Sequence, residues 1–281
     1  MTRAIDSLDK LLAPAGAGGQ AGRVWLVGAG PGDVDLLTVK ALRLLQRAEV
    51  VVYDRLVSEA VMAEVPESAL SIDVGKQPGA HGLKQAQINQ LLVDLARSGR
   101  NVIRLKGGDP FIFGRGGEEM VSLQQAGIRC EVVPGITAAV GCAAASGIPL
   151  THRECAQSLR LITGHGRLGE PQLDAAALAA VNETLVFYMG LSWSASISAQ
   201  LQANGRDRET PVAIIEKGTR PDQRVLITTL GGLAETVAQA QPVSPSLLMV
   251  GDVVRFYRAD LQEQGVVRAA GAGAGAGWSG L

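Results

Sequence analysis

Short aliphatic runs, rich in valine and isoleucine, alternate along this chain with longer stretches whose apolar positions recur every three or four residues. RVWLVG (23–28) is continuous enough for a strand buried on both faces, and DLLTVKALRLLQRA behind it carries the helical period. VVVY (50–53) predicts the next strand. LKQAQINQLLVDLARSG then places Ile88, Leu91, Leu92 and Leu95 on one helix face, and Gly99 stops that helix. NVIRLKG (101–107) and IRCEVVPG (128–135) predict two further strands.

Beyond Pro149 the aliphatic runs LRLIT, TLVFYMG, PVAIIEKG, RVLITTL and SLLMVGDVV follow more closely, with fewer helical stretches between them. That spacing predicts a mixed sheet rather than a purely parallel one. The expected fold class is therefore α/β, in two α/β domains at 23–134 and 135–265, with the boundary inside 134–152. Residues 1–22 and 266–281, Gly/Ala-rich and without periodicity, read as flexible ends. No internal repeat is visible.

Composition narrows the classes of function. Aromatic residues are only 4% of 281 residues, so the core must be built from Val, Leu, Ile and Ala. A formal charge of −1 argues against a nucleic-acid-binding surface spread over the whole molecule. Cys130, Cys142 and Cys155 lie far apart and read as reduced, buried thiols of a cytosolic protein. His81, His152 and His165 are equally scattered, so no metal site is expected. The N-terminal stretch is not a signal peptide. The uncharged run Val132 to Leu150 is long enough for a bilayer, but its prolines and small residues suit a packed loop and helix; the expectation is a soluble, cytoplasmic protein with no membrane partner.

Two glycine-rich loops carry the candidate chemistry. GAGPGD (28–33) follows a strand, where a dinucleotide fingerprint would sit, but Asp33 occupies the position of the third glycine. Pro31 also removes an N–H that a pyrophosphate would use. A ligand loop remains the better reading than a bare turn, because strand C-termini in open α/β sheets border the binding crevice. KGGDPFIFGRGGEE (106–119) likewise fails the phosphate-loop pattern, since its lysine precedes the glycines. Gly107-Gly108 permits close backbone approach, Asp109 can receive a hydroxyl or an ammonium group, and Arg115 precedes a helix beginning near Gly117. Glu118 and Glu119 favour that helix N-terminus.

GAGPGD, VVYDRLVS, GK at 75–76, HGLKQAQIN, RLKGGDPFIFGRGGEE, VVPGITAA, GIPLTHR, TGH, LVFYMG and PVAIIEKGT occur in the order seen in uroporphyrinogen-III C-methyltransferases. Over roughly residues 23 to 255 the chain resembles that group of the tetrapyrrole (class III) methylases. The resemblance implies two α/β domains with the active site in the cleft between them. It implies transfer of methyl groups from two S-adenosylmethionine molecules to rings A and B of uroporphyrinogen III, giving precorrin-2 and two S-adenosylhomocysteines. It also implies a homodimer.

By the same resemblance Pro31, Gly107, Gly108, Asp109, Ile112, Thr137, Ala138, Met189 and Gly218 line the S-adenosylmethionine pocket. Asp54 resembles the family's proton acceptor and Lys76 its proton donor, although a carboxylate and an ammonium there serve equally to position the substrate. A substrate with eight carboxylates calls for guanidinium groups, with Arg115 and Arg153 first and Arg55 behind them. Glu118 is placed to accept from pyrrole N–H groups, and His152 reads as structural. Two departures from the family pattern stand out: Ala145-Ser146-Gly147 lacks the tyrosine of A-Y-A-G-I-P, and Gln77 replaces an arginine after the GK pair.

Other readings compete. Another precorrin methylase, a ribosomal-RNA 2′-O-methyltransferase and a diphthine synthase share the superfamily, and RNA binding would call for a basic domain. A nicotinamide oxidoreductase is disfavoured by the broken fingerprint, and a non-catalytic binding module by the charged cleft candidates. Siroheme synthases fuse this kind of domain to a dehydrogenase and ferrochelatase. Only about 22 residues precede the first strand here, so the expectation is methyltransferase activity alone.

Overall fold

A computed structural model describes residues 20–75, 83–164, 173, 180 and 182–259. The expected flexible ends lie almost wholly outside the described residues, as do Lys76, Gln77, His81 and His165.

The first half is a five-stranded, wholly parallel sheet in the order β3-β2-β4-β1-β5. Its strands are β1 (Arg23–Gly28), β2 (Val50–Tyr53), β3 (Leu70–Asp73), β4 (Val102–Lys106) and β5 (Arg129–Val133). Alternate strand residues point to opposite layers. Val24, Leu26, Val52 and Val102 face helix α3 (Gln85–Arg97), on which Ile88, Leu91, Leu92 and Leu95 are all buried, as the spacing predicts. Val27, Val51, Ile103 and Leu105 face helices α1 (Val39–Leu45) and α2 (Glu59–Met62). Such two-sided burial is why these strands read as unbroken apolar runs.

The stretch expected as one helix from 35 to 48 is split. A 3₁₀ turn at Val34–Leu36, capped by the Asp33 side chain, ends before Thr38, whose hydroxyl caps α1 through the Ala41 N–H at 3.2 Å. Two local caps compete with one continuous helix, and the caps win.

Helix α4 (Gly116–Gln125) follows β4, and α5 (Ala138–Ser146) leads into the second sheet. That sheet is mixed, in the order β6-β7-β10-β8-β9, with only β6 and β7 parallel. Its strands are β6 (Ser158–Thr163), β7 (Glu183–Tyr188), β8 (Pro211–Glu216), β9 (Arg224–Thr229) and β10 (Ser246–Val250). Helices α6 (Ser194–Ala203) and α7 (Leu233–Ala240) cover one face and α5 the other. Among the described residues no helix is long and apolar enough to cross a membrane. Only Cys142 of the three thiols is fully buried; Cys130 and Cys155 are partly exposed, which corrects the expectation for those two.

Candidate functional site

The two glycine loops leave the C-terminal ends of neighbouring strands β1 and β4, next to the point where the strand order reverses. They are stitched together by paired backbone bonds, Gly108 N–H to Gly30 O at 2.7 Å and Gly30 N–H to Gly108 O at 3.1 Å. The loop after β5 joins them so closely that a Cβ on Gly135 would stand 2.3 Å from Gly108 O and 2.8 Å from Gly28 Cα. Three loops thus meet backbone to backbone, which glycine alone allows.

Asp109 secures this junction. Its Oδ1 accepts the Phe111 N–H at 2.9 Å and its Oδ2 accepts the Gly135 N–H at 3.0 Å. The Oδ1 bond shapes the β4 loop itself, and the Oδ2 bond ties that loop to the β5 loop.

The second sheet closes over these loops. Asp33 N–H donates to Thr219 Oγ1 at 3.1 Å, and Arg220 Nη2 donates to Leu56 O at 2.9 Å. Helix α5 is wedged between the halves: a Cβ on its Gly141 would strike Pro31, and a Cβ on Gly218 would strike Cys142. Phe113 packs against Tyr188 with ring centres 4.9 Å apart and planes tilted by 55°. Phe113, Arg115, Met189, Lys217 and Thr219 all hold positive φ without being glycine, and all lie in the loops around this crevice. Strain of that kind persists only where surrounding contacts impose it, and it concentrates at binding sites. Leu56, Phe111, Phe113 and Met189 also expose apolar side chains there.

All nine residues expected around a cofactor lie in this set of loops. Pro31 packs on α5, Gly107 on Leu56, Gly108 on Gly30, and Ile112 follows the Asp109 turn. Thr137 caps α5 and Ala138 begins it, Met189 follows β7, and Gly218 lies beyond β8. A donor with an adenosine and an amino-acid end fits such an arrangement: glycine edges leave room against backbone, and Met189 and Phe111 offer exposed apolar faces.

Asp54 lies just beyond β2, its Oδ1 accepting the Leu56 N–H at 3.1 Å and its Oδ2 3.6 Å from Arg104 Nη2. Arg115 caps α4 with φ 59°, so the helix starts at Gly116, one residue earlier than expected. Its guanidinium meets Glu118 in a fork, Nε to Oε1 at 2.9 Å and Nη2 to Oε2 at 2.6 Å. That pairing pulls the Glu118 carboxyl below its usual range, and both side chains are exposed. Arg153 is exposed in the turn after α5, and Arg55 is exposed beside Asp54. No described hydrogen bond or ion pair joins Arg153 to the other candidates. His152 stacks on Phe256 at 4.4 Å, a structural role.

The residues that sequence reasoning passed over lie beneath the loops. Arg104 and Lys106, both 3% exposed, converge on Glu119, which is fully buried. Arg104 Nε donates to Glu119 Oε1 at 3.1 Å, and Lys106 Nζ lies 3.2 Å from each of its oxygens. Glu119 stands in the first turn of α4, as expected, and is there a buried counter-ion as well. Removing one partner of such a cluster costs about 3–5 kcal/mol. The signal was present in the sequence: cations at i and i+2 of a fully buried strand require a buried anion. Tyr188, Thr219 and Arg220 had no comparable signal.

A separate cavity of about 580 Å³, lined by Trp25, Val39, Arg43, Arg47 and Ile103 among others, opens near the opposite ends of β1 and β4. It has no part in this crevice.

Residues 23–234 match the family of tetrapyrrole (corrin/porphyrin) methylases. The chain belongs to this family. It is 43% identical to a uroporphyrin-III C-methyltransferase from Thermus thermophilus solved with S-adenosylhomocysteine; the TM-score is 0.73, over 84% of this chain and 100% of that one. A cobalt-precorrin-4 methyltransferase structure aligns with TM-score 0.73 at 30% identity, over 83% of this chain and 95% of that one. Siroheme synthase 3 of Aeromonas hydrophila is 57% identical over 88% of this chain and 52% of its own length. The siroheme synthase of Stutzerimonas stutzeri is 56% identical over 84% and 50% respectively. The chain spans about half the length of these curated relatives. The α/β architecture, two sheets each covered by helices on both faces, is thus that of a methyltransferase.

Proposed function

We propose that this protein methylates uroporphyrinogen III on rings A and B, drawing both methyl groups from S-adenosylmethionine and yielding precorrin-2 and two S-adenosylhomocysteines. The observation that carries the reading is the 43% identity with the Thermus thermophilus uroporphyrin-III C-methyltransferase over that enzyme's whole length. In this reading the product feeds siroheme-type or cobalamin-type tetrapyrrole synthesis, which the siroheme synthase and cobalt-precorrin relatives support. A cytoplasmic homodimer belongs to the same reading.

Bound S-adenosylmethionine supplies an electrophilic methyl group on sulfonium sulfur. The loops around Gly108, Thr137 and Met189 would hold it, and orienting the methyl group and the nucleophilic pyrrole carbon toward each other is the main task such a transfer sets the protein. As the new C–C bond forms and the C–S bond breaks, the substrate sheds a proton, and Asp54 is the carboxylate placed to take it. Lys76 serves as donor in this reading. Arg115 and Arg153 grip substrate carboxylates, and substrate entry exchanges the Arg115–Glu118 pair for guanidinium–carboxylate and carboxylate–pyrrole contacts. The domain limits at 23–134 and 135–265 remain part of the proposal.

The test is anaerobic incubation with S-adenosylmethionine and enzymatically generated uroporphyrinogen III. Dimethylated product and S-adenosylhomocysteine by mass spectrometry are expected; their absence from folded protein overturns the reading. Methylation of a later precorrin instead would establish the relationship seen at 30% identity.

A further inference from the structure

Asp54 has an unusual backing. Arg104 Nη1 donates to Val52 O at 3.4 Å and Leu105 O at 3.1 Å, which anchors the guanidinium and leaves Nη2 turned to Asp54 at 3.6 Å. Behind Arg104 lie Glu119 and then Lys106, all three nearly or wholly without solvent. Gln85 Nε2 on α3 adds a neutral donor to Glu119 Oε1 at 3.1 Å. Two cations and one anion give this buried group a net charge of one positive unit, and Asp54 is the residue that balances it.

Among the described residues the surroundings supply no second balance. Arg55 and Arg220 stand at the rim, Arg220 fastened to Leu56 O. Asp73, at the end of β3, is engaged by the Gly75 N–H at 2.7 Å. Arg115 and Glu118 neutralise each other at the surface.

We infer that Lys106, Arg104 and Glu119 form a charge-setting device whose single net positive charge keeps the Asp54 carboxylate ionised while a polyanionic substrate fills the crevice. An incoming tetrapyrrole brings carboxylates, and like charge drives a carboxylate toward its protonated form. A base that had taken a proton from solvent would be useless for taking one from substrate. The buried cation group opposes this from the side that water and salt do not screen. Lys106 itself feels the balance. Burial and the Arg104 guanidinium pull its ammonium below the usual lysine range, and Glu119 and Asp54 pull it back. Lys106 and Glu119 are positioning residues here, acting through Arg104 on Asp54. The inference rests on the reading of Asp54 as proton acceptor.

Net charge makes the test specific. Lys106→Met leaves zero net charge behind Asp54, Glu119→Gln leaves two positive units, and the double variant restores one. The acid limb of the kcat–pH profile, with saturating S-adenosylmethionine and uroporphyrinogen III, should move up by about one pH unit in Lys106→Met. It should move down in Glu119→Gln and return to its original position in the double variant. A structural role would harm all three without opposite displacements and without a return. Should one single variant fail to fold, the other decides together with the double variant: a limb displaced in the single and restored in the double supports the inference, and an unmoved limb in the single overturns it. Asp54→Asn separates the two levels. Full turnover in that variant overturns the base reading. Lost turnover combined with unmoved limbs in folded Lys106→Met and Glu119→Gln overturns the charge-setting inference alone.

Discussion

The Tyr188 hydroxyl at the end of β7 caps a helix 51 residues before it: it lies 2.7 Å from Thr137 Oγ1 and accepts the Ala139 N–H at 2.9 Å. Thr137 makes no side-chain cap bond of its own, so the first turn of α5 takes its partner from the second sheet. Burial raises the Tyr188 pKa above its usual value of 10.0.

Tyr188→Phe removes that cap without removing the ring that Phe113 packs against. The expected loss is about 1 kcal/mol of stability. Because Thr137 and Ala138 belong to the proposed donor crevice, S-adenosylmethionine affinity should fall along with the melting temperature. Calorimetric titration beside thermal melts checks this, and an unchanged affinity would detach Tyr188 from the site.

Asp109→Ala releases two backbone N–H groups from their acceptor, and the link between the β4 and β5 loops goes with them. A loss of order 1–3 kcal/mol is expected, reading out as roughly tenfold or more weaker S-adenosylmethionine binding. Gly135→Ala should do worse, since the new methyl group must displace backbone rather than a flexible side chain. Soluble Gly135→Ala protein with native affinity would contradict the close three-loop junction.

Arg115→Ala should behave differently from both. Its fork with Glu118 is exposed, so it contributes little to stability, and the melting temperature should hold within about a degree or two. S-adenosylmethionine affinity should be spared while uroporphyrinogen III turnover drops. Simultaneous loss of both would assign Arg115 a structural role, consistent with its left-handed backbone.

Cys142 makes alkaline stability measurable. Burial pushes its thiol from the ordinary 9.0 up to about 12. The unfolded thiol ionises first, so the folded chain holds the proton longer and its stability falls as pH rises from 9 toward 12. Below pH 9 this contribution is fully present. Cys142→Ala should flatten that part of a urea-midpoint-against-pH curve; an equally steep decline in the variant would place its origin in other groups.

Much of the architecture was legible before any coordinates. Strand and helix alternation, two-sided burial of the first sheet and the closer strand spacing of the second half follow from local apolar period, which depends only on neighbours in sequence. The glycine loops were also legible as sites, because strand C-termini border crevices in such sheets. The split near Thr38 was less so, since two short caps outweighed a periodic pattern that looked continuous.

What the chain determined by itself was therefore which faces are apolar, where backbone needs glycine, and which family its motifs belong to. The tertiary structure alone decided how polar groups are shared. Glu119, in the first turn of α4, became a buried counter-ion, Asp109 a loop fastener, and Tyr188 a cap for a helix in another part of the chain. Apolar burial is non-directional and shows as periodicity, whereas a hydrogen bond or ion pair requires one partner at one distance. For Asp33 that partner, Thr219, lies 186 residues away, and only the folded packing of the two sheets selects it.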